Sequence, residues 1–498
     1  MAIRVSGLTS GMDTESLVSA LVSGYRTKVE NYTKAQTKLS WKQEEWTEIN
    51  KKIKSLHSTL SSLRFSSAYQ SMKATASDST KAAVSASGSA ATGVHSLEIK
   101  SLAASSYMTG GEISLPSGSA GSLTASTKLS DLGYTDSDGS KITVTYNNKT
   151  TDIDVNSDTT IGMLAGKLKE AGLNANFDEA NGRMFVSSPK SGKDYDFTLA
   201  ESGSDGSSAL DLLKLTKSAG AIKLNGADAE ITLDGATYTN SSNSFSINGL
   251  NINAQAVTAS PVSVTVAADT DGLYDKIKDF LSQYNSIVND LTTRYNAASA
   301  KGYDPLTDEQ KNKMSDTEVE KWETKIKDSL LRNDDSLGSI LDTLSNNMSA
   351  SYTINGRKYS LTSFGIHTLG LLNASKNEQN AYHIDGDEDD SSTSTNSDKL
   401  KEALTRDPDS VVEFMKQLTG GLYTALDKKM QSSSVRSKYS VYNDKEMASE
   451  YSEYTKLIKE WNTRLQDMED TYYKKFSNME SALTKLNSNS SKLTNMLG

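Results

Sequence analysis

Residues 32–63 read YTKAQTKLSWKQEEWTEINKKIKSLHSTLSSL. Within them Tyr32, Ala35, Leu39, Lys42, Trp46, Ile49, Ile53, Leu56, Leu60 and Leu63 recur alternately every three and four residues. That spacing keeps one stripe in line along a helix. A plain amphipathic core helix has such a stripe too. Its persistence over more than four heptads favours a coiled coil or a long bundle. Lys42 is the one polar member, and a polar seam residue is expected to specify register at a cost in stability. Upstream, Leu17, Val18, Leu21 and Val22 form an earlier apolar face. Asp13 or Thr14 can cap the start, with Glu15 in the favourable first turn.

The other end mirrors this pattern. Ile458, Trp461, Leu465, Met468, Tyr472, Phe476, Met479, Leu483 and Leu486 step 3-4-3-4-4-3-4-3. The double four is stutter-like, a local unwinding of a supercoil. Leu493 and Leu497 extend the face. A third seam runs through Leu273, Ile277, Phe280, Tyr284, Ile287 and Leu291. Only 5 prolines occur in 498 residues, none near either end, so long unbroken helices are permitted there. Stripes of this length need partners, either one another or copies in an assembly. The interface candidates are therefore Leu17, Leu21, Tyr32, Leu39, Trp46, Ile49, Ile53, Leu56 and Leu60 at one end, and Ile458 through Leu486 of the last stripe at the other.

Between the stripes the period changes. Residues 71–92 are Ser/Ala-rich and read as a linker. Leu97 and Ile99, then Ile142, Val144 and Tyr146, then Ile153 and Val155, alternate with polar neighbours as strands do. Ile161, Leu164 and Leu168 share a short helix face that ends at Gly172. Asn181-Gly182 reads as a type I′ turn and Asp234-Gly235 as another hairpin. Val262, Val264 and Val266 make a closing strand. The fold class is α+β and multidomain: long terminal helices forming a coiled-coil leg, with β-rich head domains inserted between them. Residues 300–335 are charged and helix-prone, with Val319, Trp322, Ile326 and Leu330 spaced for one buried face. Residues 384–398 are acidic and Ser/Thr-rich and read as a solvated loop.

Composition removes whole classes of function. With 53 Lys and Arg against 63 Asp and Glu the net charge is −10, so no nucleic acid is expected as a partner. There is no cysteine, which excludes disulfides, thiolate chemistry and iron–sulfur clusters. The four histidines, His57, His95, His367 and His383, are far apart in sequence, and no metal or cofactor is expected. Asp385-Gly386-Asp387-Glu388-Asp389 alternates like a calcium loop. Its Gly falls at position two, Asp390 stands where Gly is needed, and Asn396 stands where the bidentate Glu belongs. No run of about 18 apolar residues occurs, so no membrane insertion is expected. Met1 to Val18 has one Arg and no apolar core, unlike a Sec signal. No pair of acids stands out as an acid/base couple, and no enzyme is expected.

The opening Gly7-Leu8-Thr9-Ser10-Gly11-Met12-Asp13-Thr14-Glu15-Ser16-Leu17-Val18 resembles the start of the flagellar filament-capping, hook-associated protein 2 family. Gly93 to Ala103 resembles that family's first head strand. Asp158 to Ser188 resembles a motif shared by flagellins, hook-associated proteins and caps. Asp228 to Gly235, Asp269-Thr270-Asp271 and Tyr473 to Ser488 follow in the family's order.

The resemblance implies a non-enzymatic, secreted, extracellular cap at the flagellar tip, exported through the type III channel. It would be a ring-shaped homo-oligomer, most often a pentamer, whose plate retains exported flagellin and promotes its folding and insertion. Implied partners are itself, flagellin, hook–filament junction proteins and an export chaperone. Host glycans stay open as a further class. The expected segments are 1–40 and 455–498 for the terminal leg, 41–74 and 272–454 for the helical leg domain, 75–106 and 222–271 for the head, and 107–221 for an inserted outer head. Another filament component, or a coiled-coil-stalked adhesin, fits the same pattern.

Overall fold

The computed structural model describes residues 11–119, 121–136, 139–202 and 207–497. Gly7 to Ser10 of the opening motif lie outside the described residues, as does the side chain of Leu497. The chain forms two compact units, one from the chain up to Tyr69 and from Thr270 onward, the other from Gln70–Asp269.

In the first unit a helix of 50 residues runs over Thr14–Leu63. The Asp13 carboxylate accepts the Ser16 N–H at 3.0 Å and caps it. From Leu39 onward its stripe is buried. Leu39, Trp46, Ile49, Ile53, Leu56, Leu60 and Leu63 share one core with the Thr270–Tyr295, Asp335–Met348 and Pro408–Lys429 helices. Leu273, Ile277, Phe280, Tyr284, Ile287 and Leu291 all face that core. Each such side chain contributes roughly 1.5–3 kcal/mol on burial. The second half of the first stripe is therefore the core helix of a bundle rather than an open coiled-coil seam.

Lys42 corrects the register reading. Its Nζ lies 2.8 Å from Asp334 Oδ2. Asp334 also caps the Asp335–Met348 helix by accepting the Ser336 and Leu337 N–H groups. Lys42 thus ties the first helix to a helix N-terminus of its own unit. Lys42→Leu is expected to lower stability by about 1 kcal/mol, since the lysine is a third exposed and Asp334 keeps its backbone donors. Thermal melting checks this, and a higher melting point would restore the register reading.

Two further segments differ from expectation. In the helix Asp316–Asp328 only Ile326 is buried, while Val319 and Trp322 are half-buried. The Trp322 indole N–H instead donates to the Asp304 carbonyl at 2.9 Å. Residues 384–398 are not simply solvated. Asp385, Asp387 and Thr393 are buried. Ile366–His367 pairs antiparallel with His383–Ile384. Asp385 Oδ1 faces His367 Nε2 at 3.0 Å and accepts the Asn396 amide at 2.7 Å. Lys278 donates to both Asp387 and Asp389 at 2.6 Å. The acids that resemble a calcium loop are engaged in this polar knot.

The hydrogen bond with Asp385 raises the His367 pKa. Burial pushes Asp385 up, but the hydrogen bonds from His367 and Asn396 outweigh it and leave it lowered. The histidine's contribution is complete below its unfolded value, about 6.5, and is lost as pH rises through the raised folded value. The aspartate's is complete above about 3.9 and is lost as pH falls through the lowered one. The knot is expected to stabilise most between about pH 4 and 6.5. His367→Gln should reduce the fall in melting temperature as pH rises above about 6.5, and an unchanged profile would show that the pair contributes nothing.

The second unit holds two cores. One lies between a five-stranded sheet, in the order Met72–Ala76, Val262–Ala268, Gly93–Ser101, Ala229–Leu233, Ala236–Asn240, and a three-stranded sheet of Ser244–Ile247, Leu250–Ala254 and Ala82–Ala86. Residues 71–92, read as a linker, therefore supply two strands. Their Ala and Ser side chains carry too little apolar contrast to show the period. The other core joins a four-stranded sheet, in the order Ile222–Leu224, Ser105–Thr109, Arg183–Ser191, Asn174–Asp178, to a three-stranded sheet and the Ile161–Glu170 helix.

Asp234 and Gly235 both have positive φ and join Leu233 directly to Ala236, as a type I′ turn requires. Asn181-Gly182 departs from that reading. Asp178 pairs with Arg183 across a four-residue loop, and the Asp178 carboxylate accepts the Ala180 and Asn181 N–H groups.

The two cores meet at a narrow neck. Ala104 and Ala227 exchange both backbone hydrogen bonds, and the Gly192 N–H also donates to the Ala104 carbonyl at 3.1 Å. A Cβ on Gly226 would stand 2.4 Å from the Gly192 carbonyl oxygen, so only glycine permits this approach. Asp228 accepts the Lys193 N–H at 2.9 Å and pairs with its ammonium at 3.3 Å.

Candidate assembly interface

The last helix, Asp444–Leu497, has 54 residues and packs antiparallel along the first. The run of contacts fixes the direction. Trp46 stacks on Tyr442 with centroids 5.3 Å apart. Tyr32 meets Tyr454 at 6.4 Å and Tyr25 meets Trp461 at 6.1 Å. The Gln36 amide donates to Thr455 Oγ1 at 2.6 Å, and Arg26 pairs with Glu469 at 3.4 Å. At the root of the pair, Trp46, Leu39, Leu330 and Tyr454 line a cleft of about 550 Å³ that the Lys42–Asp334 bridge crosses.

The sequence candidates divide into three groups. Leu39, Trp46, Ile49, Ile53, Leu56 and Leu60 are buried in the core of the helical unit. Tyr32, Ile458, Trp461, Leu465, Met468, Tyr472, Phe476, Met479 and Leu483 are half-buried, and Leu486 is 66% exposed. Leu17 and Leu21 are 40% and 48% exposed, while their neighbours Val18 and Val22 are fully buried. Val18 and Val22, not the two leucines, are the covered face at this end.

Tyr25, Tyr442, Tyr454 and Asn50 were not among the candidates. Met447 and Tyr454 continue the last stripe upstream at steps of seven and four, so a longer reading frame would have included them. Asn50 has no pattern signal, because it acts through the backbone of residues almost 400 positions away. Opposite charges along the pair give orientation rather than much stability, since exposed pairs contribute little.

A pair of helices leaves each with one flank uncovered. Half-burial of the stripe from Tyr454 to Leu483 is the signature of a seam closed on one side only. Such a flank can accept further helices. No group of three ligand-type side chains able to hold a metal occurs among the described residues. No described helix is long and apolar enough to cross a membrane.

The class defined here is a discontinuous helical unit that carries an inserted β unit and ends in an open helix pair. Residues 226–488, more than half the chain, match the model for the flagellar hook-associated protein 2 C-terminus, and residues 10–106 match that for its N-terminus. The chain belongs to the flagellar hook-associated protein 2 family.

It is similar to flagellar hook-associated protein 2 of Halalkalibacterium halodurans, at 24% identity over 87% of this chain and 83% of that one. The Thermotoga maritima relative of the same name is 22% identical, covering 99% of this chain and 96% of its own length. Among solved structures, the D1–D2–D3 domains of the flagellar cap protein FliD from Escherichia coli match with a TM-score of 0.50 and 19% identity. That match covers 79% of this chain and 96% of that one.

Proposed function

We propose that this protein is a structural, non-catalytic cap at the extracellular distal tip of the flagellar filament. It acts as a ring-shaped homo-oligomer that retains exported flagellin and promotes its insertion at the growing end. The observation that carries this reading is the one-sided seam of the terminal helices, in a chain of the hook-associated protein 2 family. A seam half-covered within the subunit keeps the pair folded yet leaves apolar surface for neighbouring helices, whether from other copies or from flagellin.

The terminal segments 1–40 and 455–498 then serve as the leg, 41–74 and 272–454 as its helical domain, 75–106 and 222–271 as the head, and 107–221 as the outer head. Hook–filament junction proteins and an export chaperone are the expected further partners. The test is electron microscopy of filament tips in cap-deficient cells supplied with this chain. Plates on the tips and restored swimming support the reading, and bare tips with flagellin shed into the medium overturn it.

A further inference from the structure

The last helix is held to its unit by a single long neighbour. Along its length it packs on the first helix, and past Met447 none of its described side chains is fully buried. The segment leading into it, residues 430–443, contains a strained residue. Tyr439 has φ 64°, the left-handed region that a bulky side chain rarely adopts. Its N–H donates to the Met430 carbonyl at 2.9 Å, which folds the segment back on itself.

The strain is held from the first helix. The Asn50 amide donates to the Tyr439 carbonyl at 3.3 Å, and the Asn50 carbonyl accepts the Val441 N–H at 3.0 Å. Burial does not hold it, because Tyr439 is 45% exposed.

We infer that the last helix exchanges between copies of this chain. In the assembled form each last helix lies on the first helix of the next copy, with the turn at Tyr439 opened. Every copy presents the same Tyr25, Tyr32 and Gln36 to an incoming helix, so exchange repeats these helix–helix contacts and gives up only those that close the turn. Opening the turn releases the strain at Tyr439, and strained hinges favour exchange of the element they carry. The contact is head-to-tail, passing from one copy to the next, so a closing rotation gives a ring. This inference rests on the ring-forming reading above and names the contact that forms the ring.

The chain has no cysteine, so an engineered pair reports without background. Full-length protein carrying Tyr32→Cys and Tyr454→Cys, positions whose rings lie 6.4 Å apart, is assembled, confirmed as an oligomer by sedimentation, and treated with a short bis-maleimide. Exchange predicts a ladder of chains linked to one another on a denaturing gel, with little monomer carrying an internal link. Tyr439→Gly, which relaxes the closed turn, should shift the product toward the internally linked monomer about tenfold.

Internally linked monomer as the main product from a verified oligomer would overturn the exchange and leave the ring reading intact. Protein that sediments only as monomer at every concentration would overturn both. Should the tyrosine pair fail to fold by circular dichroism, Tyr25→Cys with Trp461→Cys, at 6.1 Å, gives the same readout.

Discussion

Removing residues 455–498 is expected to leave filament tips bare and cells non-motile, while the Gln70–Asp269 unit keeps its β-sheet signal. Tyr454 would remain, but Trp461, Leu465, Met468 and the rest of the open stripe would be gone. Val18 and Val22, fully buried in the intact chain, would face water. A helix segment of some 25 residues without a packing partner is marginal in water, so residues 14–38 should fray as well. The β unit has its own two cores and no contribution from the deleted residues. Swimming assays, microscopy of tips and circular dichroism of the isolated protein check the three parts separately. Normal motility would show that the helix pair is dispensable.

Trp46→Ala should cost about 3–5 kcal/mol, the largest loss from any single side chain of the first stripe. Trp46 is 2% exposed, stacks on Tyr442 with an interplanar angle of 8°, and sits where the first helix passes from core to open pair. Truncation leaves a cavity between the root of the last helix and the core. The melting temperature of the helical unit should fall by about 10 °C. The β unit should melt unchanged, which far-ultraviolet circular dichroism resolves by following the helix and strand signals separately. A loss below about 1 kcal/mol would mean that the stack with Tyr442 is not formed in solution.

Much of the helical architecture was legible because helix burial writes a period into the sequence. Leu273 to Leu291 and Trp46 to Leu63 are both stripes and buried faces. What the period could not say is which neighbour covers a stripe. A core helix and an open pair show the same spacing, and only the change in partners at Leu39 separates them. The same limit left open which apolar pair the subunit covers itself. With Leu17 and Leu21 adjacent to Val18 and Val22, two faces were equally apolar, and in the folded subunit the valines are buried and the leucines are not.

Strands built of Ala and Ser, such as Ala82–Ala86, gave no signal, because their burial depends on the sheet that pairs with them. The knot around Asp385 was hidden for a different reason. A stretch of Asp, Ser and Thr reads as solvated unless its partners are known, and His367 and Lys278 both lie outside it, 18 residues from Asp385 and 109 from Asp387. Lys42 looked like an interruption of a seam and proved to be a tether to a helix cap.

The helical unit is built from both ends of the chain, with some 200 residues of β structure between its two parts. A polypeptide delivered N-terminus first, from a ribosome or through a narrow channel, presents the first helix long before the last one exists. The β unit can close as soon as Asp269 has emerged, but Trp46 must wait for Tyr442, and Val18 and Val22 for the far stretch of the last helix. Completion of the helical unit is thereby timed to the arrival of the last helix. Until then the outer part of the first helix lacks its packing partner, and the finished bundle cannot form ahead of the segment still in transit.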